Sequence, residues 1–216
     1  MLVRRGVALV ALALIAGGIA LLAYPGVTDR YQARQQTRLR REFAAASGAT
    51  PTPAAAGEAS PSPVPLREAM AVIRIPAIGL NAVVVQGTDA QALRTGPGHY
   101  LGTPGPCAGG NANTAIAGHR TTYGHPFNRM DDLVAGEDIT LTTPAGSCTY
   151  EILPALEGRV TPSPGSASWI IAPNDWSVVS PLTLAGSYLT LTTCNPKGSA
   201  SQRLAVRGRL IAATPA

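Results

Sequence analysis

Hydrophobic and polar positions divide the chain into three stretches. From Gly6 to Thr28 runs an uncharged segment of 23 residues, dominated by Ala, Leu, Val and Ile, between Arg4-Arg5 and Asp29. As a helix it would be about 35 Å long, enough for a hydrocarbon core of roughly 30 Å. A cleavable signal peptide would have a shorter apolar region and a small-residue A-x-A site, which this run does not offer at its end. Residues 1–28 therefore read as a transmembrane anchor. Residues 29–66 read as a linking region: Asp29–Phe43 can continue as a polar helix, and Ala44–Pro65 holds eight Ala, five Pro, three Ser, two Thr, two Gly and a single charge. That second part has too little apolar surface to offset ordering entropy and is expected to be a disordered, semi-extended tether. It is either a stalk that lifts the following domain or a passive linker.

From Arg67 to Ala216 short apolar runs recur between turn signals. Ala71–Ile75 and Ala82–Val85 end at Pro76 and Gln86-Gly87, and Thr114–Ala117 is a brief buried strand before Gly118. Asp138–Thr142 and Ser147–Leu153 flank Pro144-Ala145-Gly146 as a hairpin. Ser187–Thr193 and a last run punctuated by Leu204, Val206 and Leu210 complete the set. One short helix is expected, opened by a capping box at Thr88-x-x-Gln91. Seven or eight short strands predict an all-β domain, either a closed barrel or a sandwich.

Composition agrees, since Gly 23 and Pro 19 favour a turn-rich β architecture and an aromatic content of 5% leaves the core to Val, Leu, Ile and Ala. The abundance of Ala and the single lysine, Lys197, resemble the bias of a GC-rich, actinobacteria-like genome. The net charge of +5 sits at the N-terminal end, because from Arg67 onward ten basic residues face nine acidic ones. A nucleic-acid partner is thereby excluded. Cys107, Cys148 and Cys194 form no C-x-x-C pair, and His99, His119 and His125 lack zinc-ligand spacing. Asp131-Asp132 and Glu137-Asp138 are expected in solvated turns, with no acidic cluster for calcium.

Cys194 ends the strand-like run L-T-L-T-T-C and precedes the turn signal Asn195-Pro196. If the last two strands pair antiparallel, Arg203 comes to lie beside it. Arg207 and Arg209 share a face with Arg203 by strand period, so periodicity does not choose among the three. His119 follows a strand in G-H-R-T-T-Y-G (Gly118–Gly124), where the flanking glycines would let backbone approach a substrate closely. A Cys and a His can act as nucleophile and acid–base pair, and an Arg can stabilise an oxyanion. Each of the three is equally compatible with a structural role, and spacing alone does not bring them together.

T-L-T-T-C with an Arg nine residues on, the upstream G-H-R-T-T-Y-G, I-P-A-I-G-L (Ile75–Leu80) and G-P-G-H-Y (Gly96–Tyr100) together resemble the sortase family over Ala71–Leu210. The H-R-T-T-Y-G form resembles class E, the housekeeping class of high-GC Gram-positive bacteria. The resemblance implies an eight-stranded sortase-type β-barrel over residues 67–216 with a few short helices. It implies Cys194 as nucleophile, His119 as acid and base, and Arg203 as the residue that holds the substrate backbone or oxyanion. The partners implied are secreted proteins bearing a C-terminal L-A-x-T-G or L-P-x-T-G sorting signal, cut at Thr–Gly, and a peptidoglycan-precursor amine as acceptor. No cofactor and no metal are expected. Tyr123 is implied as a reader of the signal's second position, with Thr192 and Thr193 lining the cleft.

The implied substrate places the catalytic domain outside a single-pass membrane anchor, although the arginines at 30, 34, 38, 40 and 41 following the apolar run would by charge count keep that side in the cytoplasm. Cys107 and Cys148 lie outside the sortase motif. In an oxidising exterior they are expected to pair, contributing roughly 3 kcal/mol, the alternative being two unpaired small residues. Three rivals remain: a pilin-polymerising sortase with a lysine acceptor, a non-catalytic wall-binding β-domain, and an L,D-transpeptidase. The last places its His and Cys within one motif, unlike the 75 residues between His119 and Cys194.

Overall fold

The computed structural model describes residues 2–48, 64–180, 182 and 185–216. A long helix α1 (Leu2–Gly48) is followed by β1 (Ala69–Ile75), β2 (Leu80–Gln86), a short helix α2 (Ala90–Thr95), β3 (Gly98–His99), β4 (Asn113–Ala117), β5 (Asp138–Thr143), β6 (Gly146–Ile152), β7 (Trp169–Ile171), β8 (Tyr188–Asn195) and β9 (Gln202–Pro215). Single 3₁₀ turns lie at Pro76–Ile78, Met130–Asp132 and Trp176–Val178.

The strands are ordered β6-β5-β1-β2-β3-β4-β8-β9, and β6 pairs again with β9, so eight strands close a barrel. β9 makes the closure because it is long: one edge follows β8 from Asn195↔Gln202 to Tyr188↔Arg209. Its other edge takes β7 at Arg203–Ala205 and β6 from Gly208 to Pro215. β4 and β8 run parallel, with Ala117 opposite Thr192.

Strand period decides what fills the interior. Ile73, Ile75, Leu80, Ala82, Val84, Ile116, Leu189, Leu191, Leu204 and Val206 point inward, with Phe127, Met130 and Leu133 from the β4–β5 connection packed on the same core. β2 reads as a continuous apolar run because both of its faces are covered: Val83 and Val85 pack outward against Leu39 of α1 and Ala92 of α2. The expected short helix is present as α2, but its cap is Asp89, whose carboxylate accepts from Gln91 N and Ala92 N. Thr88, the expected cap, lines a cleft instead. β3 and β7 were not expected; they hold two and three residues, too few to show a period.

α1 is one helix across the expected boundary at residue 28, and its N-terminal part is long and apolar enough to cross a membrane. It also takes in residues 44–48, expected as the start of the tether, because Ala44–Ala46 are strong helix formers. The tether expected beyond Gly48 lies outside the described residues as far as residue 63. Past the apolar part, Thr28, Gln32, Gln36 and Leu39 form a narrow buried stripe against the barrel. Its anchor is Gln36, whose amide accepts from Val83 N (2.7 Å) and donates to Val83 O (3.0 Å) and Thr95 O (2.9 Å). β3 pairs with β2 only at Val85 and Gln86, so Gln36 serves the β2 edge where that neighbour has ended.

Cys107 and Cys148 are joined, with Sγ atoms 2.07 Å and Cα atoms 5.6 Å apart across a separation of 41 residues. Denatured, unreduced chain is expected to show one reactive thiol per molecule, at Cys194. Replacing both Cys107 and Cys148 by Ser should lower stability by about 2–4 kcal/mol in denaturant titration. Three reactive thiols in the unreduced chain would contradict the bridge.

Candidate active site

β8 alternates: Leu189 and Leu191 face the core, while Thr190, Thr192 and Cys194 face the opposite side. That outer side is covered by β7 and by the turn Trp176–Val178, and between them lies a cleft of about 240 Å³. Its lining includes His119, Thr192, Thr193, Cys194 and Arg203, with Tyr100, Asp175 and Trp176 on the walls. Cys194 is a free, half-buried thiol directly opposite Arg203 in the β8–β9 ladder. The pairing expected from the sequence thus selects Arg203. Arg207, on the same face of β9, is buried under the Trp169 ring and donates to Val178 O and Thr190 Oγ1.

The Arg203 guanidinium is held at the rim, where Nη1 donates to Ala200 O (2.8 Å) and Gln202 O (2.9 Å). Among the described residues no carboxylate pairs with it, so its charge stays available to a ligand. Thr192 and Thr193 stand on the cleft wall with their hydroxyls engaged. Thr192 Oγ1 bonds Tyr100 OH (2.9 Å), and Thr193 Oγ1 donates to Gly118 O (2.8 Å). The β4–β8 pairing continues through Gly118 N to Thr192 O (3.1 Å), so the residue before His119 is tied to the two residues before Cys194.

The residue after His119 is one the sequence reading missed. Arg120 is 4% exposed; it donates to Cys194 O (3.2 Å) and Asn195 Oδ1, and pairs with Asp131 at 2.9 Å. Its own carbonyl accepts from Asn128 Nδ2. Asp131 therefore departs from the expectation of a solvated turn: it neutralises a buried guanidinium, with Lys197 at 3.7 Å as a second partner. No local signal in the sequence marked it, because the groups that bury Arg120 come from β8 and from Asp131, distant along the chain. The space beside Gly118 is taken by the Phe127 ring, 2.7 Å from where a Cβ would sit, and not by a substrate.

Tyr123 does not line the cleft; its ring lies against His119, with centroids 5.2 Å apart, beneath the Arg94 guanidinium at 5.8 Å. His99 is turned away, bonded to Gln86 and Pro104 O, and His125 faces Asp29 of α1. His119 is thus the histidine that shares the cleft with Cys194. Burial holds its pKa below the ordinary histidine value, and the positive charge of Arg94 lowers it further. Both causes favour the neutral imidazole over the imidazolium. Arg94→Gln removes the second cause, so the NMR titration midpoint of His119 should move upward in that variant. An unchanged or lower midpoint would contradict this account.

A family model described as a sortase domain matches residues 73–211, from the first barrel strand to the last. The chain is 29% identical over 208 residues to sortase D of Bacillus subtilis, covering 92% of this chain and 96% of that protein. It is 27% identical over 160 residues to sortase SrtE1 of Streptomyces coelicolor, covering 68% of this chain and 42% of that one. Sortase E from Streptomyces avermitilis superposes with a TM-score of 0.58 at 33% identity, over 70% of this chain and 93% of that chain. Sortase E1 from Streptomyces coelicolor, solved with a tripeptide in the active site, gives a TM-score of 0.60 at 27% identity, over 69% and 91%. The class E likeness expected from the sequence is consistent with these matches, alongside a class D relative of greater coverage. With barrel and matched region coinciding, the chain belongs to the sortases, a family of cysteine transpeptidases.

Proposed function

We propose that this chain is a membrane-anchored sortase that cuts the Thr–Gly bond of an L-A-x-T-G or L-P-x-T-G-like C-terminal sorting signal and joins the Thr carboxyl to a peptidoglycan-precursor amine. The observation that carries the proposal is the convergence of Cys194, Arg203 and His119 on one cleft, with Cys194 and Arg203 in direct register.

In this reading Cys194 Sγ attacks the Thr carbonyl carbon. A carbon–sulfur bond forms, the carbon–nitrogen bond to Gly breaks, and His119 gives the leaving amine its proton. The acceptor amine then attacks the thioester, the carbon–sulfur bond breaks, and the amine's proton passes by way of His119 back to the Cys194–His119 pair, which regains its starting protonation. Proton transfer from Cys194 to His119 as the thiolate forms would supply the proton that the leaving amine takes. Arg203 supplies charge-assisted hydrogen bonds to the substrate backbone or to the oxyanion. Thr192 and Thr193 shape the wall beside the nucleophile. Tyr123 supports the imidazole from outside the cleft lining, and the reading of the signal's second position that the family resemblance gives it would require the substrate to extend past His119. Water in place of the amine gives hydrolysis, so the half-covered cleft favours transfer by limiting water at the thioester. No cofactor takes part.

The apolar part of α1 serves as the anchor, and the barrel works outside the membrane, where a sorting signal and a wall precursor meet. A domain wholly protected from protease added to intact cells would overturn that placement.

Full-length chain in detergent should release the Gly-side fragment from an L-A-x-T-G or L-P-x-T-G peptide and form an amide product when an amine-bearing stem peptide is added, as read by mass spectrometry. Cys194→Ala should abolish both products, and His119→Ala and Arg203→Ala should each lower kcat/KM by about 10²–10⁴-fold. Cleavage retained in Cys194→Ala would refute the assignment. A product formed only with a lysine side chain of a pilin-type peptide would move the chain to the polymerising sortases.

A further inference from the structure

The loop that carries His119 is braced by the anchor helix as well as by the barrel. Tyr123, Gly124 and His125 are three consecutive residues with positive φ, at 50°, 69° and 36°. Two of them are not glycine, and such a run does not persist unless its surroundings hold it. The hold comes from α1. Thr28 Oγ1 accepts from Tyr123 N (3.3 Å) while donating to Pro25 O (2.8 Å). Asp29 Oδ1 accepts from Gly124 N (2.7 Å), and its other oxygen stands 3.5 Å from His125 Nδ1.

The fit is close as well as polar. A Cβ on Gly124 would meet Gln32 Oε1, and one on Gly96 would meet Gln36 Nε2, each at 2.3 Å. Two glycines on different elements thus leave room for two buried glutamines one helical turn apart. The consequence reaches the cleft because Tyr123, whose backbone α1 fixes, lays its ring against His119.

We propose that Thr28, Asp29 and Gln32 of the anchor helix are positioning residues that set the His119 imidazole over the cleft, so that the helix is a working part of the active site. This rests on the acid–base role assigned to His119 above. The helix touches neither nucleophile nor substrate; it acts through the Tyr123–His125 backbone.

The test uses the full-length chain in detergent micelles and the signal-peptide assay, comparing Thr28→Val/Asp29→Leu with the conservative pair Thr28→Ser/Asp29→Asn, which keeps both acceptor oxygens. The first pair should lower kcat by about 10–100-fold with KM changed less than about twofold, the signature of a displaced reacting group. The conservative pair should restore kcat to within about threefold of wild type. The single variants Thr28→Val and Asp29→Leu, each removing the contacts of one side chain only, serve if the double variant does not fold, and should show smaller falls in kcat. The His119 Cε1 proton, shifted by the adjacent Tyr123 ring, should move in the first pair and stay in place in the second. Full kcat in Thr28→Val/Asp29→Leu, or an unmoved His119 line, overturns the inference while an inactive His119→Ala leaves the role of His119 standing. A fully active His119→Ala overturns that underlying role, and the inference with it.

Discussion

Unbroken backbone pairing from β4 through β8 to β9 sets the chemistry of this barrel. Antiparallel register puts Cys194 opposite Arg203, and parallel pairing brings the end of β4, and so His119, beside the same strand. Side chains alternate along a strand, so a slip of one residue would turn Cys194 inward and take its thiol out of the cleft. Leu189, Leu191, Leu204 and Val206 prevent that slip, because each would have to leave the core for it to occur. The register that places Cys194 opposite Arg203 is thus held by apolar side chains of the core, away from the cleft.

At the end of β8 the ladder gives way to a polar cluster. Arg120 binds the carbonyl of Cys194, the side chain of Asn195 and the carboxylate of Asp131. A buried ion pair of this kind is a weak source of net stability but costly to break, since the partner left behind is a buried unpaired charge. Its contribution lies in geometry: it ties the loop after His119 to the strand that carries Cys194. The neighbouring acids and bases then divide cleanly. Asp131 and Lys197 flank the buried Arg120, Arg94 adds to burial in lowering the His119 pKa, and Arg203 has no carboxylate partner among the described residues.

Most of the barrel was legible because strand period and turn chemistry are local. The runs at Ala71–Ile75, Asp138–Thr142 and Ser147–Leu153 appear within a residue or two of where the sequence placed them. What remained hidden depends on tertiary partners. Spacing carries no trace of the meeting of His119 and Cys194, because a parallel β4–β8 pair has no short connection to announce it; only the family motif pointed there. The docking stripe of α1 escaped for a different reason. Thr28, Gln32 and Gln36 lie at helical spacing, yet they are polar, and hydrophobic periodicity looks for apolar faces. Thr28 and Gln36 bond backbone groups of a loop and of a strand edge, for which a hydroxyl or an amide is the complementary surface.

The glutamine that completes the β2 edge also fixes a distance. Because α1 enters the contact at Thr28, where its apolar run ends, and leaves it near Leu39, the barrel is fastened along about 17 Å of helix rise. With the apolar run in a bilayer, the barrel's height above the lipid is set by that rigid contact, and the length of the Ala/Pro-rich connection no longer governs it. The cleft is then confined to a thin layer next to the membrane surface. Any ligand held at that surface would share a plane with the cleft.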